Sequence, residues 1–281
     1  MPKENDNKLS YGLGLGGGAV RGIAHLGVLK ALEEYNLKPN YLAGTSIGAF
    51  VAALYAFGKR PEEIREFVKE MNWLDVSRLT LSKLGLLSNE EIGKTIEKHI
   101  GAVFLEESPI PLAFVATDIS TGERVILKEG KVSTAVMAST CVPGIFVPTI
   151  INERMLVDGG LVENVPFSPL KEMGAEIVVG VNLNGSRKYE KPNGLVDILL
   201  NAFDIAIDNT TQIQCEQANY VIHLELAKYS RTNPNNVLEL YAEGYRSGML
   251  SAKEILVEIE KRNPSALAIL EQKIKMGISS K

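Results

Sequence analysis

The sequence predicts an α/β fold, a mostly parallel sheet wrapped by helices. Three observations carry this. Short apolar runs of strand length alternate with segments whose apolar residues recur at helical spacing. Glycine clusters fall where a strand would hand over to a helix. The length of 281 residues, 45% hydrophobic and 23% charged, suits one α/β domain with a large core.

The elements follow in order. Ser10 to Leu15 reads as a first strand, ending in glycines. Ala19 to Tyr35 carries Ile23, Leu26, Leu29, Ala31 and Leu32 at helical spacing. Tyr41 to Ala43 is a short second strand, followed by a second glycine turn and an apolar helix from Ala49 to Phe57. Gly58 ends that helix, and Pro61 suits the first turn of the next, Glu62 to Met71. Ser88 and Glu91 have capping-box spacing for a helix through His99. Leu112 to Thr117, Arg124 to Lys128, Met155 to Val157, Glu176 to Asn182 and Tyr220 to Leu226 are further strands. Asn184 to Gly194, rich in Gly, Ser, Lys, Pro and Asn, reads as a surface loop. The chain after Leu195 is mainly helical, including Val237 to Lys261. Residues 1–9 read as a flexible terminus and residues 10–281 as one domain. Its motifs lie in residues 10–183, and residues 195–281 form the helical part. The leucine-rich stretch Leu79 to Leu87 reads as core, with a lid as the other role open to it.

Composition narrows the function. A net charge of -4 and a pI of about 5.6 leave no basic stripe for a phosphate backbone, so nucleic acid is not expected as a partner. The same balance opposes permanent docking on anionic membranes, while brief contact with a membrane surface stays compatible. Cys141 and Cys215 lie far apart without metal-ligand spacing, so neither metal nor disulfide framework is expected, and no cofactor. A polar N-terminus and the lack of a bilayer-length apolar run point to a soluble, cytoplasmic protein.

Two motifs carry chemistry. Gly14-Leu15-Gly16-Gly17-Gly18-Ala19-Val20-Arg21-Gly22 lies between a strand and a helix. Such a run leaves backbone N–H groups open beside a helix N-terminus, a cradle for an anion. The anion could be a dinucleotide pyrophosphate or the oxyanion formed when a carbonyl is attacked. A dinucleotide site wants an acidic residue at the end of the next strand. Here that strand runs into Gly44-Thr45-Ser46-Ile47-Gly48 instead, and the dinucleotide reading loses most of its support. GxSxG between a strand and a helix is the context of a nucleophile elbow, so Ser46 is the expected nucleophile.

A serine needs a base. Of three histidines, His25 falls in the first helix, His99 ends a polar helix, and His223 sits in a strand. The order Ser46, Asp158, His223 would suit an α/β-hydrolase triad, but the elbow comes early for that fold and His223 reads as partly buried and structural. Asp158-Gly159-Gly160, after the apolar run Met155 to Val157, puts a carboxylate at a strand end. Alone it would be a turn residue. Beside the other two motifs, also at carboxyl ends of strands, it becomes a candidate partner for Ser46.

Taken together, these residues resemble the patatin-like phospholipase family, in particular its short bacterial members. The likeness covers most of residues 10–183. It includes the glycine loop with Arg21 and Gly22, Ile23 to Leu29 and the GxSxG. It continues through Thr117-Asp118, Ala138-Ser139 with Pro143-Gly144, and Asp158-Gly159-Gly160 leading to Asn164-Val165-Pro166. The resemblance implies a three-layer α/β/α sandwich and a Ser-Asp dyad without histidine. Ser46 would be nucleophile and Asp158 base, with the backbone of Gly16, Gly17, Gly18 and Ala19 as oxyanion hole. Arg21 is read either as a loop-supporting or anion-greeting residue or as a solvated helix residue. Asp118 is read as a turn residue. The implied activity is hydrolysis of carboxylic esters of lipids, phospholipase A-type, on a lipid or small ester substrate. An acyltransferase using the same serine, or a lipid-binding regulatory protein with little catalysis, are the alternatives.

Overall fold

The structure is a computed structural model that describes residues 10–70, 78–79, 84–85, 87–185, 189, 191–231 and 234–262. The described chain opens with β1 (Tyr11–Leu15), a 3-10 turn (Ala19–Gly22) and α1 (Ile23–Glu34). Next come β2 (Tyr41–Thr45), α2 (Ile47–Ala56) and α3 (Pro61–Glu70). A small ribbon of β3 (Arg78–Leu79) and β4 (Leu87–Ser88) precedes α4 (Glu90–Ile100). Then follow β5 (Leu112–Asp118), β6 (Arg124–Leu127), α5 (Val132–Ser139), β7 (Thr149–Ile151) and β8 (Arg154–Asp158). Two short helices, α6 (Gly160–Glu163) and α7 (Ser168–Glu172), lead to β9 (Ile177–Asn182). The last elements are α8 (Leu195–Cys215), β10 (Tyr220–His223) and α9 (Val237–Arg262).

The main sheet runs β10-β9-β1-β2-β5-β8-β7, with β6 also on β5. It is mixed: the ladders from β10 to β5 are parallel, whereas β5–β6, β5–β8 and β7–β8 are antiparallel. The register at β5 positions the site. β6 pairs Phe114 to Thr117, overlapping both β2, which pairs Leu112 to Val115, and β8, which pairs Ala116 to Asp118. A strand has two edges. β6 therefore holds one edge of β5, and β2 and β8 share the other end to end. β2 stops with Thr45 beside Val115, and β8, arriving from the opposite direction, stops with Asp158 beside Ala116.

The two faces of the sheet are covered differently. Tyr11, Leu13, Leu15, Val179 and Val181 point into the larger core, shared with α1, α2 and α9. Gly12, Gly14 and Gly180 point the other way. There an added Cβ would lie 2.9 Å from Leu170, 3.0 Å from the Pro166 carbonyl and 2.3 Å from Phe167. Glycine on this face lets residues 164–170 and α7 lie against the strands, completing the α/β/α sandwich. α1 and α9 cross at a comparably close point, because Cβ atoms at Gly27 and Gly244 would fall 2.1 Å from the Tyr241 carbonyl oxygen and 1.9 Å from that of Ala24.

Several local expectations change. The helix read from Ala19 begins as a 3-10 turn and becomes α-helical only at Ile23. The N-cap of α4 is Asn89 and makes no side-chain cap bond, because its amide donates to the Met137 carbonyl; the Ser88 hydroxyl instead accepts the Glu90 N–H at 3.3 Å. β10 stops at His223, opposite the last residue of β9, so Leu224 to Leu226 has no ladder to join. In the stretch read as core, Leu84 is exposed and Leu87 is half-buried, while Leu81 and Leu86 lie outside the described residues, as do residues 1–9. α5, α6, α7 and β7 are elements the sequence reading did not single out. Among the described residues no helix is long and apolar enough to cross a membrane.

Candidate active site

Ser46 occupies the turn between β2 and α2, with φ 56° and ψ -127°, a conformation that costs a non-glycine residue about 1–3 kcal/mol. The neighbours enforce it. A Cβ at Gly48 would lie 2.0 Å from the Leu15 carbonyl oxygen, and one at Gly44 2.4 Å from Ala49 Cα. Two hydroxyls pin the turn. Thr45 Oγ1 donates to the Glu163 carbonyl at 2.9 Å. Ser139 Oγ accepts the Ser46 N–H at 2.9 Å and donates to the Val115 carbonyl at 2.7 Å. Ile47 packs over Gly22, where a Cβ would come within 2.3 Å of it.

The head-on meeting of β2 and β8 brings Ser46 beside Asp158, and both line one cavity. Asp158 is fully buried. Its Oδ1 accepts the Gly160 N–H at 2.8 Å, and its carbonyl accepts Thr117 Oγ1 at 2.9 Å. Gly159 is required by space, since a Cβ would lie 2.3 Å from the Val115 carbonyl oxygen. Burial raises the Asp158 carboxyl to about 6; the neighbouring Ser46 hydroxyl and the Gly160 N–H oppose the rise, and the charge of Asp204 adds to it. Asp158 does end a strand, but that strand runs antiparallel to β5, and its carboxyl end faces that of β2 across a junction rather than lying beside it.

The glycine loop is divided in its duties. Gly16 N–H donates to the Val181 carbonyl at 3.1 Å. Gly17 N–H is shared between the carbonyl and Oδ1 of Asn164, at 3.2 and 3.1 Å. Among the described residues, the N–H groups of Gly18 and Ala19 have no protein partner, and both residues line the cavity beside Ser46. Ala19 has φ 50°. His25 braces the loop from below: Nε2 lies 2.7 Å from the Gly16 carbonyl oxygen, and burial lowers the imidazole to about 4, so it is a neutral donor.

A cavity of about 460 Å³ opens over these residues, within the range of small-molecule sites. One wall is the inner face of α8, through Leu200, Phe203, Asp204 and Ile207, and another is residues 227–231. Arg21 is not a solvated helix residue. It is buried, and Nε and Nη2 donate to the Tyr229 carbonyl at 3.0 and 2.6 Å, tying the 3-10 turn to that wall. Arg231 joins the walls by ion pairs to Asp204 and, at 3.2 Å, Asp208. α8 also grips the Asp158 turn. Ile207 packs on Gly160, while Gln214 donates to the Val162 carbonyl at 2.6 Å and accepts the Asn164 N–H at 3.2 Å.

None of the three histidines lines the cavity. His99 stacks on Phe67 with centroids 3.7 Å apart. His223 is exposed, correcting its reading as partly buried. Asp118, read as a turn residue, is the buried last residue of β5; its carboxylate accepts the Ser120 N–H at 2.9 Å and pairs with Arg154 at 2.7 Å. Among the described residues no group of three His, Cys, Asp or Glu side chains is placed to hold a metal. Ser139, Asn164, Asp204 and Arg231 acquire roles here that their local sequence did not reveal.

The model of the patatin-like phospholipase family matches residues 13–171, more than half of the chain. The chain belongs to the patatin-like phospholipase family. An uncharacterized NTE family protein of Mycobacterium bovis is 36% identical over 177 residues, covering 62% of this chain and 49% of that protein. A lysophospholipase NTE1 of Meyerozyma guilliermondii is 30% identical over 276 residues, covering 88% of this chain and 19% of that protein. The chain thus spans about half the length of the mycobacterial relative and about a fifth of the fungal one. The crystal structure of VipD from Legionella pneumophila shares the fold, with a TM-score of 0.58 at 14% identity, over 91% of this chain and 71% of that one.

Proposed function

We propose that the protein is a lipid acyl hydrolase of phospholipase A type that works through a Ser46–Asp158 dyad. The observation that carries this reading is that Ser46 lines one cavity with a buried carboxylate raised to about 6 and with two unspent backbone N–H groups. A free aspartate, with a pKa of about 3.9, is a weak base for a hydroxyl. Burial makes Asp158 a better one while leaving it ionised at neutral pH.

Asp158 takes the Ser46 proton as Oγ bonds to the ester carbonyl carbon, and the carbonyl electron pair moves onto oxygen. The N–H groups of Gly18 and Ala19 hold that oxyanion; Gly16 and Gly17, also expected as donors, support the loop instead. As the oxyanion collapses, the carbon–oxygen bond to the alcohol breaks and Asp158 returns its proton to the leaving oxygen. Asp158 then takes a proton from water, which attacks the acyl-enzyme, and passes that proton to Ser46 Oγ on release of the acid. A lipid surface is the proposed source of substrate, and the names of its relatives accord with that class. The test is a panel of p-nitrophenyl esters and phospholipids. Wild type should hydrolyse members of both, Ser46→Ala and Asp158→Asn should not, and a fluorophosphonate should label Ser46. Full activity in Ser46→Ala would overturn the reading.

A further inference from the structure

Helix α8 is amphipathic in the reverse sense. Its three acids, Asp197, Asp204 and Asp208, lie on the inner side: Asp197 and Asp204 line the cavity, and Asp204 and Asp208 pair with Arg231. Its outer side carries Leu195, Ile198, Leu199, Ile205 and Ile213, exposed by 72%, 53%, 46%, 43% and 66%. Ala202, Ala206 and Asn209 fill the spaces between them, and all are exposed. These positions recur at three- and four-residue intervals, which puts them on one face about 27 Å long. No charged side chain interrupts that face. A surface helix of a globular protein normally turns such a stripe inward, and a contiguous exposed apolar patch marks an interaction site.

We propose that the outer face of α8 is the docking surface by which the enzyme lies on a phospholipid layer, with the stripe sunk among the acyl chains. This rests on the lipid-hydrolase reading and names the surface that reading requires. A lipid layer is the occupant because the opposite side of the same helix is a wall of the substrate cavity, so one helix width separates the layer from the site. The charge pattern agrees. The stripe is charge-free, suiting acyl chains, while Lys191, exposed and four residues ahead of it, lines the cavity rim and suits a headgroup phosphate. The grip of Ile207 and Gln214 on the Asp158 turn places the reacting groups directly behind the docked helix.

The experiment separates docking from turnover. Ser46→Ala protein is floated with phosphatidylcholine vesicles, alone and with Ile198→Asp and Ile205→Asp added; both positions are exposed and outside the cavity lining. Ser46→Ala protein should bind, the added pair should weaken binding at least tenfold, and raising NaCl tenfold should change binding less than twofold. In the active protein the same pair should cut hydrolysis of vesicle phospholipid at least tenfold and leave p-nitrophenyl butyrate turnover within twofold. Equal vesicle binding with and without the pair, or no binding by Ser46→Ala protein, would overturn the proposal. So would a dimer on size exclusion that the pair splits, which would assign the stripe to a second copy. Vesicle binding that depends on the stripe in a protein hydrolysing no ester would support the docking surface and count against the hydrolase reading alone.

Discussion

Ser139 holds Ser46 in place: its hydroxyl accepts the Ser46 N–H at 2.9 Å and donates to the Val115 carbonyl at 2.7 Å. The strained serine is thereby fastened to β5, the strand against which Asp158 also ends. Removing the Ser139 oxygen would leave a donor and an acceptor unpaired, one of them the Ser46 N–H. Ser139→Ala should lose about 1–3 kcal/mol of stability. Turnover of a soluble ester should drop 10- to 100-fold with KM little changed, because substrate does not touch Ser139. Steady-state kinetics and thermal melting check both halves.

Asp158 links activity and stability to pH with opposite consequences. Turnover should depend on one ionisation near pH 6 and fall as the pH drops through it, since the proposed base must be ionised. For stability, a carboxyl raised from 3.8 to about 6 means that the folded protein binds the extra proton, so stability falls as pH rises across that window. The full effect is about 3 kcal/mol at most. Asp158→Asn should therefore be inactive yet melt higher than wild type at pH 8, and the difference should shrink to nothing near pH 4. Melting curves across that range decide it.

The histidines provide a contrasting pair. His223→Ala should retain turnover within twofold, as His223 is exposed and outside the cavity lining. A large loss in a folded His223→Ala protein would bring back a triad. His25 is lowered to about 4 by burial, so its contribution to stability is present at neutral pH and is lost as pH falls from 6.5 toward 4. That loss should flatten in His25→Gln, whose amide still donates to the Gly16 carbonyl.

Gly17 is a matter of space rather than of backbone freedom. A Cβ there would lie 2.6 Å from Asn164 Oδ1 and 3.1 Å from Ser46 Cβ. Gly17→Ala should displace both and cost at least 100-fold in ester turnover. Gly130→Ala, at a half-buried bend where nothing lies within 4 Å of the added Cβ, should leave turnover unchanged and register only the strain of φ +94° in a melt.

What was legible in the sequence was local. The elbow and the glycine loop are turns, and turns write their demands into adjacent residues, here glycines whose Cβ would strike neighbouring backbone. Asp158-Gly159-Gly160 could be seen for the same reason. Pairing partners could not. Nothing near residue 158 tells that its strand runs against β5 and meets β2 end to end, because that follows from which edge of β5 was left open. The contacts of Ser139 and Asp204 were equally hidden, although Ala138-Ser139 is part of the family likeness. One is a small helical residue and the other an acid in a helix, and only the packing of α5 and α8 against the site reveals what they touch.

The crossing of α1 and α9 has a consequence in time rather than in space. Backbone meets backbone at Gly27 and Gly244, yet the two helices are about 200 residues apart along the chain. Translation delivers α1, with the glycine loop just before it, long before its cover exists. Until α9 emerges, the nascent chain must keep an apolar helix, and the loop that precedes it, without their final wall. Expression and solubility, more than catalytic constants, are where a weakened α9 would first be felt.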